Sequence, residues 1–188
     1  MSDPSARFAV KLTARSTEIV GEARAMLEEL GWEAVSMRPL AERLGIRAPS
    51  LYKHFSKRDQ IRSALVAQGL VEMGDALHAV LARSGSVSDL LAAYRDTGRR
   101  NPNLYRLATS GPLDRAVLPD GLEEWSGAPF FAVTGDEFVA QALWSFAHGA
   151  LTLELDGRYP PGSDLDRTWA VAANLVTGRS GPEDSADH

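Results

Sequence analysis

Apolar positions recur at three- and four-residue spacing along nearly the whole chain, the period of helices laid against a core. Leu12, Ile19, Ala23, Met26, Leu27 and Leu30 make the first stripe, and Gly31 follows it as a natural stop. Ser36 is placed to cap a short second helix carrying Leu40, Ala41 and Leu44, which Gly45 ends. A third short helix starts near Pro49, a residue suited to a first helical turn, with Leu51 and Phe55 one turn apart on its inner side. Ser56-Lys57-Arg58-Asp59 reads as a capping box that opens a long fourth helix with Ile61, Leu65, Leu70, Met73, Leu77 and Val80, closed near Gly85.

The second half repeats these start signals. Ser86 with Asp89 precedes Leu90, Leu91 and Tyr94, and Asn101-Pro102 reads as a cap and first-turn proline before Leu104, Leu107 and Ala108. Residues 110–134 are rich in Gly and Pro and predict no definite element. Thr134-Gly135-Asp136-Glu137 is a capping box for a helix over about 136–155. That helix is apolar on more than one side: Phe138, Val139, Ala142, Leu143, Phe146, Ala147, Ala150 and Leu151. A helix without a polar face is buried on several sides, which in so small a chain implies a partner subunit. Residues 156–162 break the pattern, and Ser163 with Asp166 opens a last helix bearing Leu165, Trp169, Ala172 and Val176. Residues 180–188 read as a polar, disordered tail. With no strand alternation, the expected fold is all-α.

Composition narrows the classes. The 188 residues are 44% hydrophobic and 24% charged, as in a soluble globular protein large enough for a true core. The absence of cysteine excludes a disulfide scaffold, a thiolate metal site and a cysteine nucleophile. No apolar run approaches the roughly 20 residues that span a bilayer. The start, Met1-Ser2-Asp3-Pro4, lacks a basic-then-apolar leader, so the expected location is cytoplasmic. The net charge of −5 hides an asymmetry: residues 1–62 hold 11 Lys/Arg against 8 Asp/Glu, and residues 36–62 hold 7 against 2. A local basic segment can meet phosphate despite an acidic body, because salt screens charges beyond about 8–10 Å.

The basic segment coincides with the two shortest helices. Residues 36–55, SMRPLAERLGIRAPSLYKHF, place them about four residues apart around Gly45, the spacing of a helix-turn-helix whose second helix enters a DNA major groove. With Leu40, Leu44, Leu51 and Phe55 inward, the outward set is Arg47, Ala48, Ser50, Lys53 and the flanking Tyr52 and His54. Small and hydrogen-bonding groups on a cationic background let a helix approach base edges closely. The same spacing also fits an αα-hairpin whose charges are only a solvated face.

A longer stretch separates these readings. GWEAVSMRPLAERLGIRAPSLYKHFSKRDQI resembles the N-terminal domain of the TetR family of transcriptional regulators, in Gly31, Leu40-Ala41, Leu44-Gly45-Ile46, Ser50-Leu51-Tyr52, His54-Phe55 and Lys57-Arg58. The likeness runs over roughly residues 8–70. It implies that Ser36 and Arg38 meet backbone phosphate and, for Arg38, a guanine. It implies that Ala48, Pro49 and Ser50 open the recognition helix, and that Tyr52 and His54 contact phosphate or bases. Lys57 or Arg58 would meet a phosphate at the next helix start, while Arg47 and Lys53 occupy variable positions. The fold implied is a three-helix DNA-binding domain (1–62) joined by a long helix to a helical effector-binding and dimerisation domain (63–179). Farther on, Trp144-Ser145-Phe146-Ala147-His148-Gly149 resembles the Trp…His-Gly element of one C-terminal domain type in this family, and Asn101–Tyr105 fits its upstream helix.

The function expected is a sequence-specific DNA-binding regulator, a repressor released from its operator by an unidentified small molecule. The homodimer would pair through residues 136–155 and 163–178 and read a near-palindromic operator. Tyr105, Phe130, Trp144 and His148 are the candidate effector contacts, although aromatics and a histidine at such spacing also make ordinary core. No cofactor or metal is expected: the four histidines, His54, His78, His148 and His188, show no HExxH spacing, and no GxSxG or acid/base carboxylate pair stands out. Two other readings stay open, a helical small-molecule-binding protein or enzyme with an incidental basic segment, and a purely structural helical dimer.

Overall fold

A computed structural model describes Phe8 and residues 12–178. The expected tail at 180–188 lies outside the described residues. These are helical, with no strand among them: α1 (Ala14–Leu30), α2 (Met37–Arg43), α3 (Ala48–Tyr52), α4 (Arg58–Arg83), α5 (Val87–Arg100), α6 (Pro102–Thr109), α7 (Leu122–Thr134), α8 (Glu137–Leu155) and α9 (Leu165–Thr177). They form two compact units. One takes residues up to Gly74 with 100–126, the other 75–99 with 127 onward.

The first unit gathers around α1. Ile19, Val20, Ala23, Met26 and Leu27 are buried together with Leu40 and Ala41 of α2, Leu51 and Phe55 around α3, Ile61 and Leu65 of α4, and Leu104 and Leu107 of α6. Full burial of each large aliphatic side chain contributes about 1.5–3 kcal/mol. Leu30, expected in the stripe, is exposed, because the last turn of α1 meets its neighbours through Leu27 and Glu28 instead. A smaller cluster joins Phe8, Ala67, Leu122 and Trp125. Trp125 lies so close to α4 that a Cβ on Gly74 would stand 2.3 Å from its ring, so α4 needs a residue without a side chain there.

Several helix starts differ from the sequence reading in which group supplies the cap. Ser36 occupies the cap position of α2, but its hydroxyl makes no capping bond. At α4 the residue that reaches back is Gln60, whose Oε1 accepts the Ser56 N–H at 2.7 Å; Asp59 does not. Asn101 does not cap α6 with its side chain. The Glu28 carboxylate of α1 does so instead, accepting the N–H groups of Asn103 at 3.2 Å and Leu104 at 2.7 Å. The caps of α8 and α9 are Asp136, which accepts from Phe138 and Val139, and Asp164, which accepts from Arg167. Thr134 and Ser163 turn their hydroxyls to the carbonyls of Phe130 and Pro160. At α5 the expected cap forms, the Ser86 hydroxyl accepting the Asp89 N–H at 3.0 Å.

Residues 122–134, where no element was expected, form α7 with Pro129 inside it. Proline removes one backbone donor from a helix interior, so burial of Leu122, Trp125 and Phe130 has to outweigh that loss. By length and composition alone α4 is long and apolar enough to cross a bilayer, although it carries Glu72 and Asp75 and is no unbroken apolar run. Close to half of that stretch is buried inside the fold, which accounts for its composition as packing.

In the second unit Leu77, Val80, Leu90, Leu91, Tyr94, Phe130, Leu143, Leu151 and Trp169 are buried. Tyr94 meets Phe130 edge-on at 5.8 Å, and Phe146 meets Trp169 the same way at 5.5 Å. The polar tie is Arg95 of α5. Its fork takes both oxygens of Glu154 on α8, at 2.8 and 3.0 Å, and its remaining nitrogen reaches Asp166 on α9 at 2.5 Å. Arg95 and Glu154 are nearly buried, so the bidentate pair registers α5 against α8, and the Asp166 bond adds α9.

Candidate nucleic-acid interface

The turn between α2 and α3 is fixed by backbone geometry. Gly45 adopts φ +63°, a conformation open to glycine and strained for side chains. Its N–H donates to Glu42 O at 3.1 Å, and the Ile46 N–H donates to Ala41 O at 3.0 Å. These are the two bonds of a Schellman closure, which ends α2 sharply and sends the chain into α3. α2 packs on both α1 and α3. Leu40 and Leu51, both fully buried, pin the two short helices to the core, and this holds the outer side of α3 in a fixed position.

That outer side carries the residues singled out from the sequence. Arg47, Pro49, Ser50, Tyr52, Lys53, His54 and Lys57 are exposed, Ala48 and Ser36 are half-buried, and Tyr52 leaves 50% of its surface open. Arg47 precedes α3 in extended conformation, and Pro49 sits in the first turn. Among the described residues Arg47, Lys53 and Lys57 have no acidic partner, and the Ser36 hydroxyl has no protein partner. Unpaired cations and a free hydroxyl on a rigid surface are groups that meet phosphate oxygens without first giving up a protein contact.

Other cations of the same segment face the protein. Arg43 bonds Glu22 at 3.4 Å and Glu29 at 2.5 Å, both on α1. The Arg43 hydrogen bond, and then its charge, hold the Glu29 carboxyl below the ordinary range. Arg58 donates to the carbonyl of Trp32, lies over that indole ring at 4.2 Å, and keeps its Nε buried. Of the two residues named for the phosphate at the start of α4, Lys57 is the one whose charge is exposed. Sequence reasoning could not separate them, since Trp32 lies 26 positions away. Arg38 points outward with 87% of its side chain exposed, and its Nε donates to Glu42 at 3.1 Å. Glu42 was not singled out, although its four-residue spacing from Arg38 was a readable signal.

The candidate effector contacts fall in different units. Tyr105 is buried in the first. In the second, Phe130 is buried against Tyr94, while Trp144, 48% exposed, stacks on His148 with ring planes 12° apart. Burial pushes the His148 imidazole below its ordinary value. A shallow hollow of about 420 Å³ runs along α8 and α9, lined by Phe146, Arg167, Val171 and Leu175 among others. No group of three or more metal-ligating side chains occurs among the described residues.

Comparison with known proteins adds to this geometry. Residues 19–65 match the model for bacterial regulatory proteins of the tetR family. An HTH-type transcriptional regulator of Mycobacterium tuberculosis, Rv0681, is 31% identical over 191 residues, covering 92% of this chain and 85% of the relative. The tetracycline repressor protein class A from transposon 1721 of Escherichia coli is 32% identical over 92 residues, 43% of this chain and 42% of that protein. Among solved structures, a transcriptional regulator of the TetR/AcrR family from Thermobifida fusca YX-ER1 superposes with a TM-score of 0.61 at 20% identity, over 94% of this chain and all of that one.

Proposed function

This chain belongs to the TetR family of bacterial regulatory proteins, a family of DNA-binding transcriptional regulators, and from that premise we propose how it works. It acts as a repressor that binds a near-palindromic operator as a homodimer and leaves it when a small molecule binds. The observation that carries this reading is the sorting of cations around α2 and α3. Arg43 and Arg58 face protein partners, whereas Arg47, Lys53 and Lys57 face outward without acidic partners. Water solvates these three charges without a protein partner, which leaves them free to meet a polyanion.

Residues 1–62 form the reading head in functional terms, with 63–179 as effector-binding and dimerisation domain. Ala48, Pro49 and Ser50 open the helix that enters the major groove. Arg47, Tyr52, Lys53 and His54 flank it and contact phosphates or base edges, with Ser36 and Lys57 on phosphates and Arg38 on a guanine. Two copies pair through 136–155 and 163–178, where Phe138, Trp144, Leu153, Val171 and Leu175 are exposed apolar groups. A small molecule held in the second unit, with Phe130, Trp144 or His148 among its contacts, favours an arrangement whose reading heads have the wrong spacing. It releases DNA only as far as it binds the two arrangements with different affinity. The protein works in the cytoplasm, where its operator lies.

The test is selection of bound duplexes from a random pool, followed by release of the selected duplex with a library of small molecules. A palindromic consensus, a dimer in solution and at least one releasing compound are expected. Tight small-molecule binding or turnover with no enriched duplex would favour a helical binding protein or enzyme instead.

A further inference from the structure

We infer that Glu42 is a positioning residue for base recognition: it holds the Arg38 guanidinium by one edge so that the other edge reads a single guanine. This rests on the DNA-reading role proposed above. Arg38 and Glu42 lie four residues apart on α2, so their side chains stand on the same side of the helix. The Arg38 Nε donates to Glu42 Oε1 at 3.1 Å, and the two side chains remain 87% and 64% exposed.

A guanidinium presents donors along a rigid planar fork. With Nε engaged by Glu42, Nη1 and Nη2 have no partner among the described residues. Two parallel donors in one plane match O6 and N7 of guanine. A free exposed arginine samples many rotamers and bonds any phosphate within reach. The carboxylate biases that rotamer distribution toward one pose before binding, and its charge repels phosphates that would otherwise capture the guanidinium.

The contrast with the neighbouring arginine excludes a simple strut. Arg43, on the same helix, joins α2 to α1 through Glu22 and Glu29. Arg38–Glu42 joins no two elements, and an exposed pair within one helix contributes little to folding. An acidic side chain on the outer side of α2, next to the cations that meet DNA, is explained by what it does to Arg38.

The experiment compares full-length wild type with Arg38→Ala, Glu42→Gln, Glu42→Ala and the double variant Arg38→Ala/Glu42→Ala, by selection from a random duplex pool and by titration of a non-operator duplex. Arg38→Ala is expected to flatten the preference at one base pair of each half-site by about tenfold. Glu42→Ala is expected to flatten the same base pair and no other, while binding the non-operator duplex about two- to threefold more tightly because a negative charge is gone. In the preference at that base pair Glu42→Gln, which keeps the helix and a neutral acceptor, falls between, and the double variant matches Arg38→Ala; on the non-operator duplex Glu42→Gln tightens as much as Glu42→Ala, because both lose the charge. A Glu42→Ala profile identical to wild type, with Arg38→Ala flattened, overturns the inference and leaves the DNA-reading proposal standing. A wild type that enriches no sequence, or an Arg38→Ala profile identical to wild type, overturns this inference together with the reading of Arg38 on which it rests.

Discussion

The α2–α3 surface and the α8–α9 surface are both left incomplete by folding, in opposite ways. Around α3 the leftover groups are charged: Arg47, Lys53 and Lys57 face outward with no acidic partner among the described residues. On α8 and α9 they are hydrocarbon: Phe138 is 71% exposed and Leu175 77%. Water solvates the first set at no cost, so only a polyanion adds to their stability. The second set gains by being removed from water, at about 25 cal/mol per Å² of apolar surface covered. The same chain therefore presents one surface suited to a phosphate backbone and another that gains by being covered, as the proposed pairing of two copies would do.

The largest test of that contrast is to place charge on the apolar side. Val171→Asp with Leu175→Asp should leave the monomer folded, since both residues are exposed within one chain, and should abolish dimerisation. Losing the tethered second half-site should weaken operator binding by on the order of a hundredfold or more, with half-site binding intact. Analytical ultracentrifugation beside operator and half-site titrations would decide. A dimer unchanged by two aspartates would remove the role given to this face.

Next in size is the half-buried carboxylate that joins α1 to α6. Glu28→Ala leaves two backbone N–H groups of α6 without their acceptor, and loss of such a cap costs about 0.5–2 kcal/mol. Thermal unfolding should register that loss. Asn103 would partly compensate, since its Nδ2 donates to the carbonyls of Leu27 and Glu28 at 3.0 Å each. A melting temperature unchanged in Glu28→Ala would show that water or Asn101 caps α6 equally well.

That cap also marks the limit of what the sequence reveals. Leu40, Leu51 and Gly45 were legible because period and turn chemistry are local. The roles of Glu28, Arg43 and Arg58 were not, because their partners stand 75, 21 or 26 positions away and a residue's own neighbourhood does not name them. Helix α7 was hidden for a related reason. Gly127 and Pro129 disfavour a helix locally, and only the burial of Leu122, Trp125 and Phe130 reverses that preference. On the α3 side, residue types and net charge were readable, but which arginine faces outward was decided by tertiary partners.

A smaller test separates outward from inward cations directly. Lys57→Ala should weaken binding to operator and random duplex alike, by several-fold, and reduce the slope of log K against log salt by about 0.9. Arg43→Ala should instead lower stability and leave that slope within error, because its charge is neutralised by Glu22 and Glu29. Equal slopes for Lys57→Ala and wild type would take Lys57 out of the phosphate contacts.

The smallest effect belongs to His148, and its sign follows from burial. Burial lowers its pKa from the ordinary value of 6.5, so the folded chain binds that proton less readily than the unfolded chain does. Between the two values the unfolded state carries more protons, and stability rises with pH. The contribution is fully present above about 6.5 and is lost as pH falls below it toward the depressed folded value. Aspartates and glutamates ordinarily titrate near 4, so the window from about 6.5 to 5 is left to histidines, and His148→Gln separates this imidazole from the other three. Denaturant unfolding across that window should show wild type losing stability on acidification and His148→Gln losing less. Trp144 stacks on the ring with planes 12° apart, and if its face stabilises the cation enough to cancel the desolvation, the two curves will run parallel. Parallel curves would mean that the stack, and not burial, sets the charge state of this part of the α8 surface.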